Sequence, residues 1–486
     1  MTETDSPLER RLAGDHQTLA RPLRTLVRRP PVVCGEGSTV GEALAVMHAE
    51  GIGSIVIVDA HARPVGIFTE RDLVAVALGA GLAQPIAQVM TRDPLGLPGH
   101  TPAYEAALAM IDRRFRHVLV TEADQLVGVV SERDVFSLQR FGLGELTMEI
   151  RLARDVAALA GLAERVRRLT RLLVAQGVAA EHLTTFVSVL NDRICQRVIE
   201  LVRNRHAWER VSWCWLAFGS EGRLEQTFAT DQDNGLIFES HGDAGPSEVR
   251  TRLIPFAREV NEALDACGYP LCKGNVMASN PELCLSVAEW KAKMEGWLHN
   301  SDPKALLDAS IYFDFRGLHG DERLVAELRD WFLAATRARP NFLRLMAENA
   351  LQTRPPLGKW GRFATESASG SPKTINIKLY GVRPFVDTAR ILALARGLPQ
   401  TTTAERLRAA SAAGAMPKDE AEAVVASFFF IQGVRLRHQA ALEVLSDESA
   451  NRVDPAALNE LDRRTLKEAF RIAGEMQSRL ALDYHL

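Results

Sequence analysis

Hydrophobic and polar positions in the early part of the chain recur with a shift of 62 residues. Thr39 falls on Thr101, Val58 on Val120, Gly66 on Gly128 and Glu70-Arg71-Asp72 on Glu132-Arg133-Asp134, with no gap between them. A repeat of this length marks one supersecondary unit used twice. Each copy reads as helix, strand, turn, strand, helix. In the first, Thr39 followed by Glu42 is a capping box and predicts a helix to about Glu50. Ile55–Val58 is an apolar strand, Asp59–Arg63 a turn and Val65–Phe68 a second strand, and a further helix starts at Asp72. The second copy predicts a helix over Ala106–Arg113, strands over His117–Val120 and Val127–Val130, and a helix from Asp134.

Beyond Gly142 and Gly144 the pattern turns helical. Leu152, Val156, Leu159 and Leu162 follow at helical spacing, as do Phe186, Val189, Leu190, Ile194 and Ile199, with a break at Gly177. Val211–Phe218 predicts a buried strand and Leu236–Phe238 a second. The last part reads as a helical bundle, interrupted over Arg354–Lys373 by a basic stretch containing Gly358, Gly361 and Gly370. At 486 residues the chain exceeds one core. It divides into a flexible tail (1–19), the repeat (20–142), a helical connector (143–205), an α/β region (206–320) and a helical region (321–486). The expectation is an α+β multidomain protein.

Composition changes little in this picture. The chain is 47% hydrophobic and 24% charged, with a formal net charge of −3. No global field draws it to nucleic acid or an anionic membrane, and neither is expected as a partner. No apolar run is long enough to span a bilayer, and MTETDSPLERRL lacks the apolar core of a signal peptide. Six cysteines (34, 195, 214, 267, 272 and 284) show no CxxC or paired-His spacing and read as buried, reduced thiols, so a cytoplasmic location is expected.

Chemistry concentrates in FGSEGRLEQTFATDQDNGLIF, residues 218–238. Gly219 can take a positive φ and let a phosphate approach the backbone, and Ser220 can donate to it. Arg223 and Gln226 place a cation and an amide where a triphosphate would lie. Asp231 and Asp233, at i and i+2 on a strand, would share one face and bind hard divalent cations. Such a set suits metal-assisted nucleotidyl transfer, with two Mg²⁺ ions and a nucleoside triphosphate donor. The plainer reading makes the two aspartates exposed strand-edge residues beside an ordinary turn.

Gly-Ile-Phe-Thr-Glu-Arg-Asp-Leu (66–73), answered by Gly-Val-Val-Ser-Glu-Arg-Asp-Val (128–135), makes the repeat resemble a tandem CBS module over roughly 22–142. The resemblance implies that Thr69, Asp72, Ser131 and Asp134 hold the ribose and phosphates of AMP, ADP or ATP, and that the module pairs two chains into a homodimer. Otherwise Thr69 and Ser131 are N-caps, each followed by an acid in the first helical turn.

Gly-Ser-Glu-Gly-Arg-Leu-Glu-Gln-Thr (219–227), Thr-Asp-Gln-Asp-Asn (230–234) and Cys272–Pro281 resemble the DUF294 nucleotidyltransferase group, related to the N-terminal domain of the protein-PII uridylyltransferases. Ile375–Lys378 and Arg435–Gln439 resemble its helical, substrate-binding partner domain, and Lys378 is a candidate to face the cleft. The resemblance implies Asp231 and Asp233 as catalytic metal ligands and a third carboxylate as general base, for which Asp314 and Glu282 compete. It also implies transfer, uridylyl by analogy, to a small signalling protein of the PII kind. The alternative is a catalytically silent nucleotide sensor acting through protein contacts.

Overall fold

A computed structural model describes residues 21–61, 63–69, 72, 81–113, 115–123, 125–131, 134–135, 143–206, 211–240, 245–299, 306, 309–358, 362–365, 373–442 and 449–486. The expected tail (1–19) lies outside them, as do Lys359, Gly361 and Gly370 of the basic interruption. The chain forms two compact units, 1–148 and 149–486, and mixes helices with sheets as the pattern predicts.

In the first unit, β1 (Val33–Gly35) runs parallel to β2 (Ser54–Val58), which pairs antiparallel with β3 (Pro64–Thr69); β4 (Thr91–Arg92) completes the sheet. The second copy repeats the order with β5 (Gly96–Pro98), β6 (His117–Glu122) and β7 (Gln125–Ser131). Helices α1 (Val40–Glu50) and α2 (Ala103–Arg113) precede β2 and β6. Thr39 and Glu42 form the expected capping box, and Gly51 closes α1 at φ 61°. Alternation along β2 builds the core. Ile55 and Ile57 pack on Val40, Ala43 and Met47 of α1, while Val56 turns the other way onto Ile67 of β3 and onto Leu119 of the second copy. The helices expected after Asp72 and Asp134 run into residues outside those described.

Helix α3 (Leu143–Leu152) precedes α4 (Val156–Ala175), whose first turn is capped by Asp155 accepting from the Ala158 amide at 2.8 Å. The break at Gly177 has φ 74°, and α5 (Ala180–Arg203) follows. The second unit's sheet has the order β10-β9-β8-β11, from β8 (Val211–Ala217), β9 (Asn234–Ser240), β10 (Cys284–Ser286) and β11 (Arg316–Gly320). Only the β9–β10 pair is parallel. Strand β8 is covered on both faces. Trp213 and Trp215 meet Phe256 of α6 (Pro246–Ala266), with ring centroids 5.3 and 6.3 Å apart. Cys214, Leu216 and Phe218 join Trp290 of α7 (Val287–His299) and Leu328 of α8 (Glu322–Arg337) in one core. Truncating Trp215 to Ala would remove about 3–5 kcal/mol.

The helical region continues through α9 (Pro340–Gln352), β12 (Ile375–Asn376), a wide turn over Lys378–Val382, α10 (Arg383–Arg396), α11 (Thr403–Ala412), α12 (Lys418–Ala440), β13 (Arg452–Val453) and α13 (Glu460–Tyr484). Its own core holds Phe385, Phe428 and Phe470. Ile391, Leu394 and Leu480 belong instead to the core beneath the sheet. The helices and the sheet are therefore one packed body.

One expectation about the sheet needs correction. Asp231 and Asp233 are not on a strand, because β9 begins at Asn234. Gln232 donates from its side chain to the Asn261 and Tyr269 carbonyls, which holds this segment to the end of α6 and out of the ladder. Asp314 is also off-strand, between the turn Ser310–Phe313 and β11.

Candidate functional site

The chain leaves β8 at Phe218 and makes one helical turn over Gly219–Gly222. Phe218 donates its amide to the Asp233 carbonyl at 2.8 Å, so this turn and the aspartates lie side by side. Gly219 sits at φ 55°, and a Cβ there would lie 3.1 Å from Ile311 Cγ1 and 3.2 Å from Asp233 Oδ2. Only glycine gives the backbone both that conformation and that approach. Ser220 follows, and among the described residues its hydroxyl has no partner.

Gln232 is buried and its neighbours Asp231 and Asp233 turn the opposite way, so a period of two survives without a ladder. Burial first, and then Asp231, raise the Asp233 carboxyl to about 7, while Lys378 and Arg223 act in the opposite direction. A third group joins them. Asn234 accepts from the Ala278 amide at 2.8 Å and donates its own amide to the Val276 carbonyl at 3.0 Å, which brings the segment from Cys272 alongside. The Cys272 thiol donates to Asp233 Oδ1 at 3.5 Å, and the ligand atoms of Asp231, Asp233 and Cys272 all lie within 4.8 Å of one another. Two carboxylates that repel until protonated or neutralised fit a hard divalent cation; the soft sulfur fits it poorly and serves as a hydrogen-bond donor. The cysteine was visible in the motif Cys272–Pro281, but nothing in its spacing placed it beside Asp233.

Other expected residues are placed differently. Gln226 is buried against α5, its side chain accepting from Asn191 and its amide donating to Ser188 Oγ, both at 3.1 Å, so it does not face the aspartates. Arg223 donates through Nε to Glu225 at 2.7 Å and through Nη1 to Asp314 at 2.6 Å. Asp314 is fully buried and also takes Arg390 and Arg406 of the helical region. Burial alone would raise its carboxyl, but Arg390, Arg406 and Arg223 hold it well below the usual carboxylate range. A carboxylate so held does not serve as a general base. It is a structural anion, while the nearby Arg316 pairs with Asp192 at 2.7 Å. Glu282 is exposed and bound to Lys293 at 3.0 Å. Glu221, on the glycine turn itself, is the acid that sequence reasoning passed over. Burial and then Asp192 raise it to about 8.

In the first unit the two copies bring Thr69, Asp72, Ser131 and Asp134 to one cavity of about 1530 Å³, with Arg28 and Arg116 on its wall. Each hydroxyl donates to the aspartate three residues on: Thr69 Oγ1 to Asp72 at 2.9 Å, Ser131 Oγ to Asp134 at 2.5 Å. The backbone amides of Thr69 and Ser131 donate to the same oxygens, at 2.8 and 3.0 Å.

Three family patterns match the chain. Residues 23–79 and 86–140 match the CBS domain. Residues 164–304 match the family described as "Putative nucleotidyltransferase DUF294", and 340–484 the "Putative nucleotidyltransferase substrate binding domain". In chain order, the matches are a CBS pair followed by the two parts that carry the "Putative nucleotidyltransferase" descriptions.

Relatives are shorter matches. An uncharacterized 17.7 kDa protein of Acidianus ambivalens is 36% identical over 98 residues, 20% of this chain and 60% of that protein. A CBS domain-containing protein of Arabidopsis thaliana is 26% identical over 132 residues, 26% of this chain and 24% of its own length. The chain thus spans less than two thirds of either. Among solved structures, a CBS-domain protein from Agrobacterium tumefaciens is 37% identical, with 25% of this chain and 96% of that one covered, at a TM-score of 0.24. A CBS domain protein from Pyrobaculum aerophilum, complexed with AMP, is 30% identical over 26% of this chain and 98% of that one, also at 0.24. No helix among the described residues is long and apolar enough to cross a membrane.

Proposed function

We propose that the protein transfers a nucleotidyl group from a nucleoside triphosphate to an acceptor hydroxyl, under control of adenine nucleotides bound by its CBS pair. The observation that carries this reading is the pairing of Asp231 and Asp233 beside the positive-φ Gly219, with Asp233 raised to about 7. Gly219 and Ser220 would take the phosphates, the first through its backbone and the second through its hydroxyl. A hard divalent cation such as Mg²⁺, held by Asp231 and Asp233, would neutralise charge on the phosphates and acidify the acceptor hydroxyl. The acceptor oxygen bonds to the α-phosphorus. The bond from that phosphorus to the bridging oxygen breaks, pyrophosphate leaves with the electron pair, and the hydroxyl proton passes to solvent.

The adenine-nucleotide part of the proposal rests on the cavity that joins Thr69–Asp72 and Ser131–Asp134, and on the CBS family. Uridylyl transfer to a small PII-type signalling protein in the cytoplasm, by a dimer formed through the CBS pair, follows the family resemblance. A second reading, a silent nucleotide sensor, is favoured by the engagement of Asp314 with three arginines, which leaves no third carboxylate from that position. One experiment separates the two readings. Purified protein is incubated with each α-labelled nucleoside triphosphate, Mg²⁺ and cell extract, beside the Asp231→Asn/Asp233→Asn double variant. Transfer is expected for the wild type and not for the variant; equal labelling, or none with any nucleotide, would leave the sensor.

A further inference from the structure

We propose that Arg435 and Lys378, both from the helical region, hold the polyphosphate of the nucleotide donor at the Asp231–Asp233 site. The part of the chain whose family description is substrate binding would then complete the donor site, whatever it does for the acceptor. The inference rests on the donor being a triphosphate, as proposed above.

Arg435 is a buried cation, 4% exposed, on the penultimate turn of α12. A guanidinium has five N–H donors. Its Nε donates to Asn451 Oδ1 at 2.8 Å, and among the described residues no acceptor takes the other four. Leaving a buried charged group this incompletely bonded is costly unless a ligand completes it.

Its position is fixed relative to Lys378. The Asn451 carbonyl accepts from the Ile377 amide at 2.9 Å, so one asparagine ties Arg435 to the residue just before Lys378. Asn376 caps the wide turn by accepting from the Leu379 amide at 3.0 Å. Gly381 in that turn lies against Ile431, where a Cβ would come within 3.0 Å of Cγ2. Ile431 is four residues before Arg435 and on the same helix face.

Both cations interact electrostatically with the aspartates. Lys378 is among the groups that draw the Asp233 carboxyl down. Burial and then Arg223 bring the Arg435 guanidinium to about 10, with Asp231 opposing. The other buried arginines here are balanced: Arg223, Arg390 and Arg406 face Glu225, Asp314 and Asp387. Among the described residues neither Arg435 nor Lys378 makes an ion pair. Once a divalent cation occupies Asp231 and Asp233, two positive groups lack a counter-ion. A polyphosphate supplies the charge, and its oxygens supply acceptors for the guanidinium fork.

The test is calorimetric titration of the full chain with inorganic tripolyphosphate in Mg²⁺, using wild type, Arg435→Gln, Lys378→Ala and Asp231→Asn/Asp233→Asn. The expected result is loss of about tenfold or more in affinity for Arg435→Gln, and a smaller loss for Lys378→Ala. If the buried substitution fails to fold, the exposed Lys378→Ala decides. Unchanged affinity in Lys378→Ala and Arg435→Gln, with the aspartate variant weakened, overturns the inference and leaves the transferase reading standing. Binding unaffected by all three variants overturns both.

Discussion

Arg390 grips Asp314 with two edges of its fork: Nε meets Oδ1 at 3.0 Å and Nη2 meets Oδ2 at 2.6 Å, at a carboxylate with no solvent exposure. Arg406 and Arg223 each add a bond at 2.6 Å to the same group. Asp314→Asn would leave three buried guanidiniums facing an amide. We expect a loss of about 3–5 kcal/mol in urea unfolding, partly recovered by adding Arg406→Met. A loss below about 1 kcal/mol would mean that water, rather than Asp314, compensates these arginines. Because the folded carboxyl is held below its ordinary value of 3.8, its contribution is present above that pH and is lost as the pH falls further.

Gly219→Ala should cost about 1–2 kcal/mol through its positive φ alone. The added methyl also meets Asp233 Oδ2 at 3.2 Å. Nucleotidyl transfer should therefore fall more steeply than the melting temperature. Retained transfer with a lowered melting temperature would show that the carboxylate tolerates displacement.

Glu221 gives a pH signature. Its folded value of about 8 stands above the ordinary 4.5, through burial and then Asp192. Between those values the folded chain keeps a proton that the unfolded chain has released, so this group makes stability fall as pH rises, with no further loss above about 8. Glu221→Gln removes that slope. The gap between the melting temperatures at pH 5 and pH 8 should be narrower in the variant, and an unchanged gap would refute the assignment.

In the CBS pair, Asp72→Ala and Asp134→Ala should each weaken AMP, ADP or ATP binding about tenfold by calorimetry. Each aspartate already holds its neighbouring hydroxyl and amide, so both substitutions loosen the ends of β3 and β7 as well. Heats unchanged by both would leave the pair with a structural role only. Labelled transfer in these variants should persist without its response to adenine nucleotides.

What could be read in advance follows from the range of the interactions. The repeat, the capping box at Thr39, strand β8 and the nearness of Gly219 to Asp233 are written in local periodicity and short motifs. The role of Asp314 was not legible, because its arginine partners lie 76, 91 and 92 residues away. Gln226 was misplaced for the same reason, its amide partner Asn191 being 35 residues back. Asp231 and Asp233 lie together, but on a different element from the one expected. Their alternation is set by Gln232 anchoring to α6 rather than by a strand ladder.

The balance of buried charge around Asp314 also bears on where this chain can be cut. Two family patterns meet between residues 304 and 340, which invites dissection there. A fragment ending before α8 would keep Arg223, Glu225 and Asp314 but lose Arg390 and Arg406, and the complementary piece would carry those arginines with only Asp387 for relief. Gene fusion or loss would therefore be expected to carry the two segments together, as a single heritable block rather than as interchangeable modules.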